Sequence, residues 1–291
     1  MTSWLLTRAL EVLTVLAVND RERLVDRLAL LRDELDRWDE ISRKLYVEID
    51  DVGIISQFEG YARLDEFDWA GYRERYGHIE RLDLILEAEG DTTNRYKLSK
   101  QPDVLMLFYL LSAGELRDIF NRLGYPFEGE TIPRNIAYYG ERTVHGSTLS
   151  RVVMSWILSR ANRRGSWELF KGALASDVED IQGGTTQEGI HLGAMAGTVD
   201  LVQRCYAGIE THDNVLWLGP LLPAELVEIR FDVHYRGHWL EIAILPDRVH
   251  IRSRPGLAPP IRVAYKGQVV WMEPGDKQQF ALVAPPRGKA S

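Results

Sequence analysis

Gly183–Tyr206 reads GGTTQEGIHLGAMAGTVDLVQRCY, and the rest of the chain is arranged around it. Two glycines, which admit backbone conformations that a Cβ forbids, lead to the hydroxyls of Thr185 and Thr186. From Glu188 onward Ile190, Leu192, Met195, Val199, Leu201 and Val202 recur near the helical period, which predicts a helix. The N–H groups of a first helical turn lack intrahelical partners, so a Gly/Thr loop feeding a helix is a place for an anion. His191 is expected about one turn into that helix. Gly193 and Gly197 admit close approach of a ligand or another backbone. The same residues also fit a tight turn before a packed core helix, and spacing alone leaves both readings open.

The flanking chain is predominantly helical. Ser3–Val18 is apolar on most faces, and a helix of that kind is expected to be buried on several sides. Arg21–Leu45 reads as two amphipathic helices broken near Asp33. Tyr46–Tyr61 is extended or irregular, and Asp65–Tyr76 is a short aromatic helix. Helices are expected over Gln101–Ser112, with Pro102 in its first turn, and over Glu115–Leu123, ended by Gly124. Others are expected over Ile132–Tyr139, Leu149–Ala161 and Ser166–Asp177.

After a Gly/Pro break at Gly219–Pro223 the period changes. Val227, Ile229, Phe231, Val233 and Tyr235 alternate with Glu228, Arg230, Asp232 and His234, the pattern of a strand with one buried face. Strands at His238–Leu245, Arg248–Arg252, Ile261–Tyr265, Val269–Met272 and Gln278–Val283 follow, parted by Pro-Asp, Pro-Gly, Lys-Gly and Pro-Gly-Asp turns. The fold class is mainly α with a C-terminal antiparallel β-sandwich. The expected domains are a helical part over residues 1–220, the sandwich over 221–284 and a disordered tail over 285–291.

The chain of 291 residues is 45% hydrophobic and 27% charged, as soluble globular proteins are. Its net charge of −8 argues against nucleic acid as the main partner. Cys205 is the only cysteine, so no intramolecular disulfide or cysteine-based metal site can form, and a buried thiol is expected. His145 and His191 are too far apart in sequence for local metal-ligand spacing, and no metal is proposed. No secretory signal and no apolar run long enough for a bilayer is visible, so a cytoplasmic location without a membrane partner is expected.

Four groups of residues carry candidate chemistry. Lys97 and Lys100–Gln101, ahead of a helix, suit sugar hydroxyls or an anion, or are solvated charge at a helix entry. His145, Ser147, Thr148 and Ser150 form a second phosphate-type cradle or simply an N-cap. Gln57, Glu59 and Tyr61 alternate as a sugar platform or as an exposed strand face. Trp69, Tyr72 and Tyr76 suit sugar stacking or core packing. No metalloprotease HExxH, phosphate-binding Walker loop or GxSxG elbow occurs, and no carboxylate pair stands out as an acid/base couple.

Five blocks together resemble glycoside hydrolase family 65, which includes maltose, trehalose and kojibiose phosphorylases. They are IISQFEGY (Ile54–Tyr61), YKLSKQPDVL (Tyr96–Leu105), VHGSTLSRVV (Val144–Val153), GGTTQEGIHLGAMAGTVDLVQR (Gly183–Arg204) and FDVHYRGHWLEI (Phe231–Ile242). The resemblance implies the second half of an (α/α)6 barrel followed by a small β-sandwich. It implies inverting phosphorolysis of an α-glucosidic bond in trehalose, maltose or kojibiose, giving β-glucose 1-phosphate. Inorganic phosphate is then a co-substrate, and no cofactor is expected.

On the sugar side it points to Lys100 and Gln101, with Gln57 beside them; Pro102 stands where an alanine is usual. His145, Ser147, Thr148, Thr185, Thr186 and His191 fall on the phosphate side. Gly146 fills a slot where a hydrolytic relative would need a carboxylate, with Glu141 and Glu188 as remaining bases for a hydrolase such as a trehalase. The family's general acid lies in a segment with no match here, because Met1–Val18 resembles the helix that follows it. The chain is therefore expected to be a C-terminal portion. It either works with the N-terminal half as a separate chain, or is an inactive remnant that at most binds sugar or phosphate. A homodimer is the further partner the resemblance implies.

Overall fold

The computed structural model describes residues 1–99, 103–144, 147–159, 162–180, 186–212 and 214–282. The expected tail lies outside the described residues. The chain divides into two compact units, Met1–Val153 and Met154–Ser291.

In the first unit, α1 (Thr2–Val15), α2 (Val18–Leu28) and α3 (Arg32–Lys44) follow one another, and α1 packs mainly on α3 and α7 (Ala113–Leu123). The Ser3 hydroxyl donates to the Ser42 carbonyl at 2.7 Å, and Arg122 of α7 donates to the Ser42 hydroxyl at 2.8 Å. α1 differs from the expectation of burial on several sides. Only Ser3 and Leu13 are buried, while Leu5 is 62% and Val15 80% exposed, because these contacts cover one stripe of the helix. α2 and α3 part at Ala29, whose φ of 50° takes the left-handed turn that ends a helix.

α4 (Trp69–Tyr76) and α5 (Leu82–Ala88) enclose a core of Phe67, Leu82, Leu86 and Val144, against which Trp69, Tyr72 and Tyr96 pack. Trp69 and Tyr72 thus serve packing, whereas Tyr76 is 40% exposed. The Tyr72 hydroxyl, which donates to Glu89, has its pKa pushed up to about 12 by that carboxylate and by burial.

α6 (Met106–Leu110) is shorter than expected: the described chain turns helical only at Met106, and Leu111 is extended. α7 opens with Ser112 and Glu115 satisfying each other's backbone N–H groups and closes on Gly124. α8 (Thr131–Gly140) carries Asn135, fully buried. Its side chain accepts from the Ile55 N–H at 2.9 Å and donates to the carbonyls of Gly53 at 2.9 Å and Thr131 at 2.8 Å. α9 (Thr148–Leu158) contains the boundary between the units.

In the second unit, α10 (Arg163–Ala175) and α11 (Leu192–Asp200) are followed by a π-helical turn, Leu201–Tyr206. That turn sets Tyr206 among Ser155, Ser166 and Phe170, with its hydroxyl 3.4 and 3.3 Å from the two serine oxygens. Burial raises the pKa of this phenol. Cys205 is half-buried, more open than expected, because it lies on the irregular turn.

Two four-stranded sheets follow. β1 (Ile209–His212), β2 (Val215–Leu218), β6 (Ile261–Tyr265) and β7 (Gln268–Met272) form one; β3 (Ile229–Tyr235), β4 (His238–Ile244), β5 (Arg248–Ser253) and β8 (Lys277–Ala281) form the other. Leu216, Leu218, Leu240, Ile242, Ile244, Val249, Ile251, Val263 and Phe280 make the core. The alternation expected for β3 holds from Ile229, with Ile229, Phe231, Val233 and Tyr235 turned inward, whereas Val227 is 75% exposed because the strand begins only at Ile229.

Two features differ from expectation. β1 and β2 precede the Gly219–Pro223 break, being too short to show a period. β2 runs parallel to β6, so that sheet is mixed. Tight turns at Arg236–Gly237 and Lys266–Gly267, all at positive φ, join β3 to β4 and β6 to β7 as primed hairpins require. His238, 2% exposed, is held by the Ser253 hydroxyl and the Pro259 carbonyl, each at 2.8 Å from a ring nitrogen.

The entry to the sheets depends on Gly208, at φ 62°, whose carbonyl accepts the Gly219 N–H at 2.9 Å. A Cβ there would lie 2.3 Å from the Gly219 carbonyl oxygen. Gly208→Ala is expected to cost ~2–4 kcal/mol through left-handed strain and overpacking, measured by urea unfolding. Asn135→Ala strands buried backbone groups of Ile55 and Gly53. It should cost on the order of 3 kcal/mol, with hydrogen exchange at the Ile55 amide rising before that of α7.

Candidate functional site

The site residues fall in both compact units. In the first unit, Asp50 accepts the Val52 and Ile54 N–H groups at 3.0 and 2.7 Å, and Asn135 accepts that of Ile55. Gln57 follows this tied loop, and its side chain donates to the Ser99 hydroxyl at 2.6 Å. Ser99 in turn pairs in parallel with Thr143: its N–H donates to the Arg142 carbonyl at 2.8 Å, and its carbonyl accepts the Val144 N–H at 3.0 Å. Gln57 is thereby joined to the two backbone stretches that immediately precede Lys100–Gln101 and His145. Lys100, Gln101 and His145 themselves lie outside the described residues.

Gln57 also lines a cavity of about 320 Å³ with Glu48, Glu59, Asp103 and Val104. Gln57, Glu59 and Tyr61 do not share one face as expected. Glu59 is exposed and Tyr61 buried, because the chain turns at Gly60, at φ 87°. Burial, with Tyr138 nearby, pushes the Tyr61 phenol far above its ordinary range.

Ser147 and Thr148 open α9. The Ser147 carbonyl accepts the N–H and hydroxyl of Ser150 at 3.1 and 2.9 Å, so Ser147 begins the helix through its backbone. Thr148 is buried and Ser147 half-buried. The Glu141 side chain is 82% exposed, with Arg142 at 3.8 Å. A carboxylate in that setting is solvated.

In the second unit, α10 is followed by an acidic turn carrying Asp177 and Asp180. Thr186 donates its N–H and its hydroxyl to Asp180 Oδ1, at 3.2 and 3.3 Å. Asp177 Oδ2 accepts the His191 N–H at 2.9 Å, and its Oδ1 lies 2.6 Å from His191 Nδ1. The acidic turn therefore holds both Thr186 and His191, with Thr185 outside the described residues.

His191 does not lie a turn inside a helix beginning at Glu188. A 3-10 turn covers Thr186–Glu188, Gly189 breaks it at φ 97°, and His191 is the residue before α11. Asp177 takes the N–H that a longer helix would have used. Gly193, in the first turn of α11, is exposed, with open space where a Cβ would be. Gly197 is buried.

Sequence reasoning missed Ser99, Asp177 and Asp180. Each acts through a contact to a distant residue, and none stands in a recognisable spacing. Among the described residues no cluster of His, Cys, Asp and Glu is arranged for a metal ion, and no helix is long and apolar enough to cross a membrane. An imidazole anchored by a carboxylate at a helix N-terminus can hold an oxyanion. An amide at the wall of a sugar-sized cavity can hold hydroxyls.

Comparison with known proteins places the chain in two family models whose boundary falls after α11, not within α9. The model of the glycosyl hydrolase family 65 central catalytic domain matches residues 1–200, and that of the family's C-terminal domain matches residues 209–271, from the start of β1. An uncharacterized glycosyl hydrolase of Mycobacterium tuberculosis is 50% identical over 269 residues, covering 92% of this chain and 20% of its own length. The trehalose 6-phosphate phosphorylase of Lactococcus lactis is 36% identical over 214 residues, covering 73% of this chain and 28% of its own. A putative kojibiose phosphorylase from the human microbiome shares the fold, with a TM-score of 0.63, 20% identity, and coverage of 90% of this chain and 34% of its own. The chain thus spans a third or less of the length of the curated relatives named here. It belongs to glycosyl hydrolase family 65.

Proposed function

We propose that the chain carries the glucose- and phosphate-holding residues of an inverting disaccharide phosphorylase acting on trehalose, maltose or kojibiose. The observation that carries this reading is the carboxylate-held imidazole of His191 at the N-terminus of α11. A phosphate oxygen attacks the anomeric carbon, the glycosidic C–O bond breaks, and a proton goes to the leaving oxygen. β-Glucose 1-phosphate and a free sugar result.

Gln57, Lys100 and Gln101 are the sugar-side residues in this reading. His145, Ser147, Thr148, Thr185, Thr186 and His191 are the phosphate-side ones. Thr186 enters only when Asp180 releases its donors, since both now point to that carboxylate. Glycine at position 146 leaves no side chain there to activate water, and solvated Glu141 is poorly placed as a base. Both favour phosphate over water as nucleophile.

The proton donor is not assigned to any residue of this chain. Lack of a general acid lowers rates by about 10²–10⁴. Assays with phosphate and trehalose, trehalose 6-phosphate, maltose or kojibiose therefore have three informative outcomes. Binding without turnover, and glucose 1-phosphate release once a polypeptide with the family's acid-bearing segment is added, is the expected result. Turnover by the chain alone would place the donor among these residues. Phosphate-independent release of two free sugars would make it a hydrolase. Lys100→Ala and Gln57→Leu should each weaken glucose binding about tenfold in calorimetry, and an unchanged affinity would remove that residue from the sugar side.

A further inference from the structure

On the outward face of the β3–β4–β5–β8 sheet, the strand registers set Arg230, Ala243, His250 and Gln279 in one row and Asp232, Glu241, Arg252 and Lys277 in the next. Ala243, between Arg230 and His250, has only a methyl group, and a depression of about 350 Å³ lies there. Arg230, Asp232, Glu241, His250, Arg252 and Lys277 are among the residues around it. The second row sets two like-charged pairs directly opposite each other, Asp232 with Glu241 and Arg252 with Lys277. Like charges so placed destabilise a sheet unless something neutralises them.

The acidic pair is neutralised from within the protein. Arg254 donates to Asp232 Oδ2 at 2.5 Å and to Glu241 Oε1 at 2.9 Å, bridging the two carboxylates. The basic pair has no such bridge. Arg252 reaches only Glu241 Oε2, at 3.5 Å, which is longer than an ordinary hydrogen bond, and Arg254 already holds that carboxylate. The Lys277 ammonium has no hydrogen bond or ion pair among the described residues, and the His250 ring has no hydrogen bond there. An anion from outside would do for Arg252 and Lys277 what Arg254 does for Asp232 and Glu241. The chain as a whole carries a net charge of −8, so attraction for an anion at this face has to be local.

We propose that this depression on the sandwich binds a phosphate dianion, as free phosphate or as the phosphate group of a small sugar phosphate. Lys277 and Arg252 hold its oxygens through charge-assisted hydrogen bonds. The room above Ala243 takes what the phosphate carries. Arg254 keeps the neighbouring carboxylates neutralised, so they oppose the anion little. The site uses none of the residues assigned above to sugar or phosphate, and it stands whether or not that assignment does.

Amide and histidine-ring resonances of the full chain, titrated at matched ionic strength with inorganic phosphate, glucose 1-phosphate or glucose, read the site directly. Both phosphates should shift the Ala243, Arg252 and Lys277 amides and the His250 ring, and glucose should not. Lys277→Gln and Arg252→Gln should each need about tenfold more ligand. Ala243→Leu fills the depression without touching a charge and should abolish the shifts; if it does not fold, the two charge variants decide. His191→Gln should leave these shifts as they are. Equal affinity for the two phosphates supports the free ion as occupant, and tenfold tighter glucose 1-phosphate supports a sugar phosphate. The absence of shifts, equal shifts from glucose, unchanged affinity in both charge variants, or loss of the shifts in His191→Gln would each overturn the proposal.

Melting curves form the second arm. In chloride, Lys277→Gln should melt no lower than wild type, because it removes one member of an unbridged like-charged pair. Replacing chloride by phosphate at the same ionic strength should raise the wild-type midpoint more than that of Lys277→Gln, since a ligand stabilises the form that binds it. A lower midpoint for Lys277→Gln in chloride would mean that Lys277 already has its counter-charge inside the protein. That result, or equal rises in phosphate, would overturn the proposal.

Discussion

Irregular backbone must find partners for its N–H groups, and in this chain short acidic and amide side chains supply them. Asp50 holds the turn before Gln57, Asn135 holds Ile55, Asp180 holds Thr186 and Asp177 holds His191. A buried amide without a partner costs about 1–3 kcal/mol, so these contacts decide which loop conformations survive. Gln57, Thr186 and His191 lie on loops, and each of these loops is tied by side-chain contacts to the chain beside it.

The same contacts explain what could be read in advance. The strands from Ile229 onward were legible because alternation and turn residues are local signals, and β3 to β8 fall where they were expected. Helix existence was legible for the same reason. The ends of α6 and α11 were not, because Leu111 and Gly189 break the helical path while the apolar period continues past them. β1 and β2 escaped notice because four residues cannot display a period. Asp177 was invisible because its meaning lies in a partner fourteen positions on, reached through a turn.

Among the site residues, the blocks pointed to the loops, and the structure shows how some of them are held. Gln57 meets Ser99, and Thr186 and His191 meet one acidic turn. The carboxylates that shape that turn also bring negative charge close to where an oxyanion would bind. Asp177 accepts the His191 N–H and faces its ring Nδ1, and Asp180 accepts from the Thr186 N–H and hydroxyl.

The parallel pairing of β2 with β6 constrains how the sheets assemble. β3, β4 and β5 are joined by short turns and can zip as a meander from local contacts. β2 must wait for β6, which comes only after that whole meander, and the cost of closing such an intervening loop slows the pairing. On a growing chain the β1–β2 hairpin is thus held open, one edge unsatisfied, until the last third of the sheet region emerges.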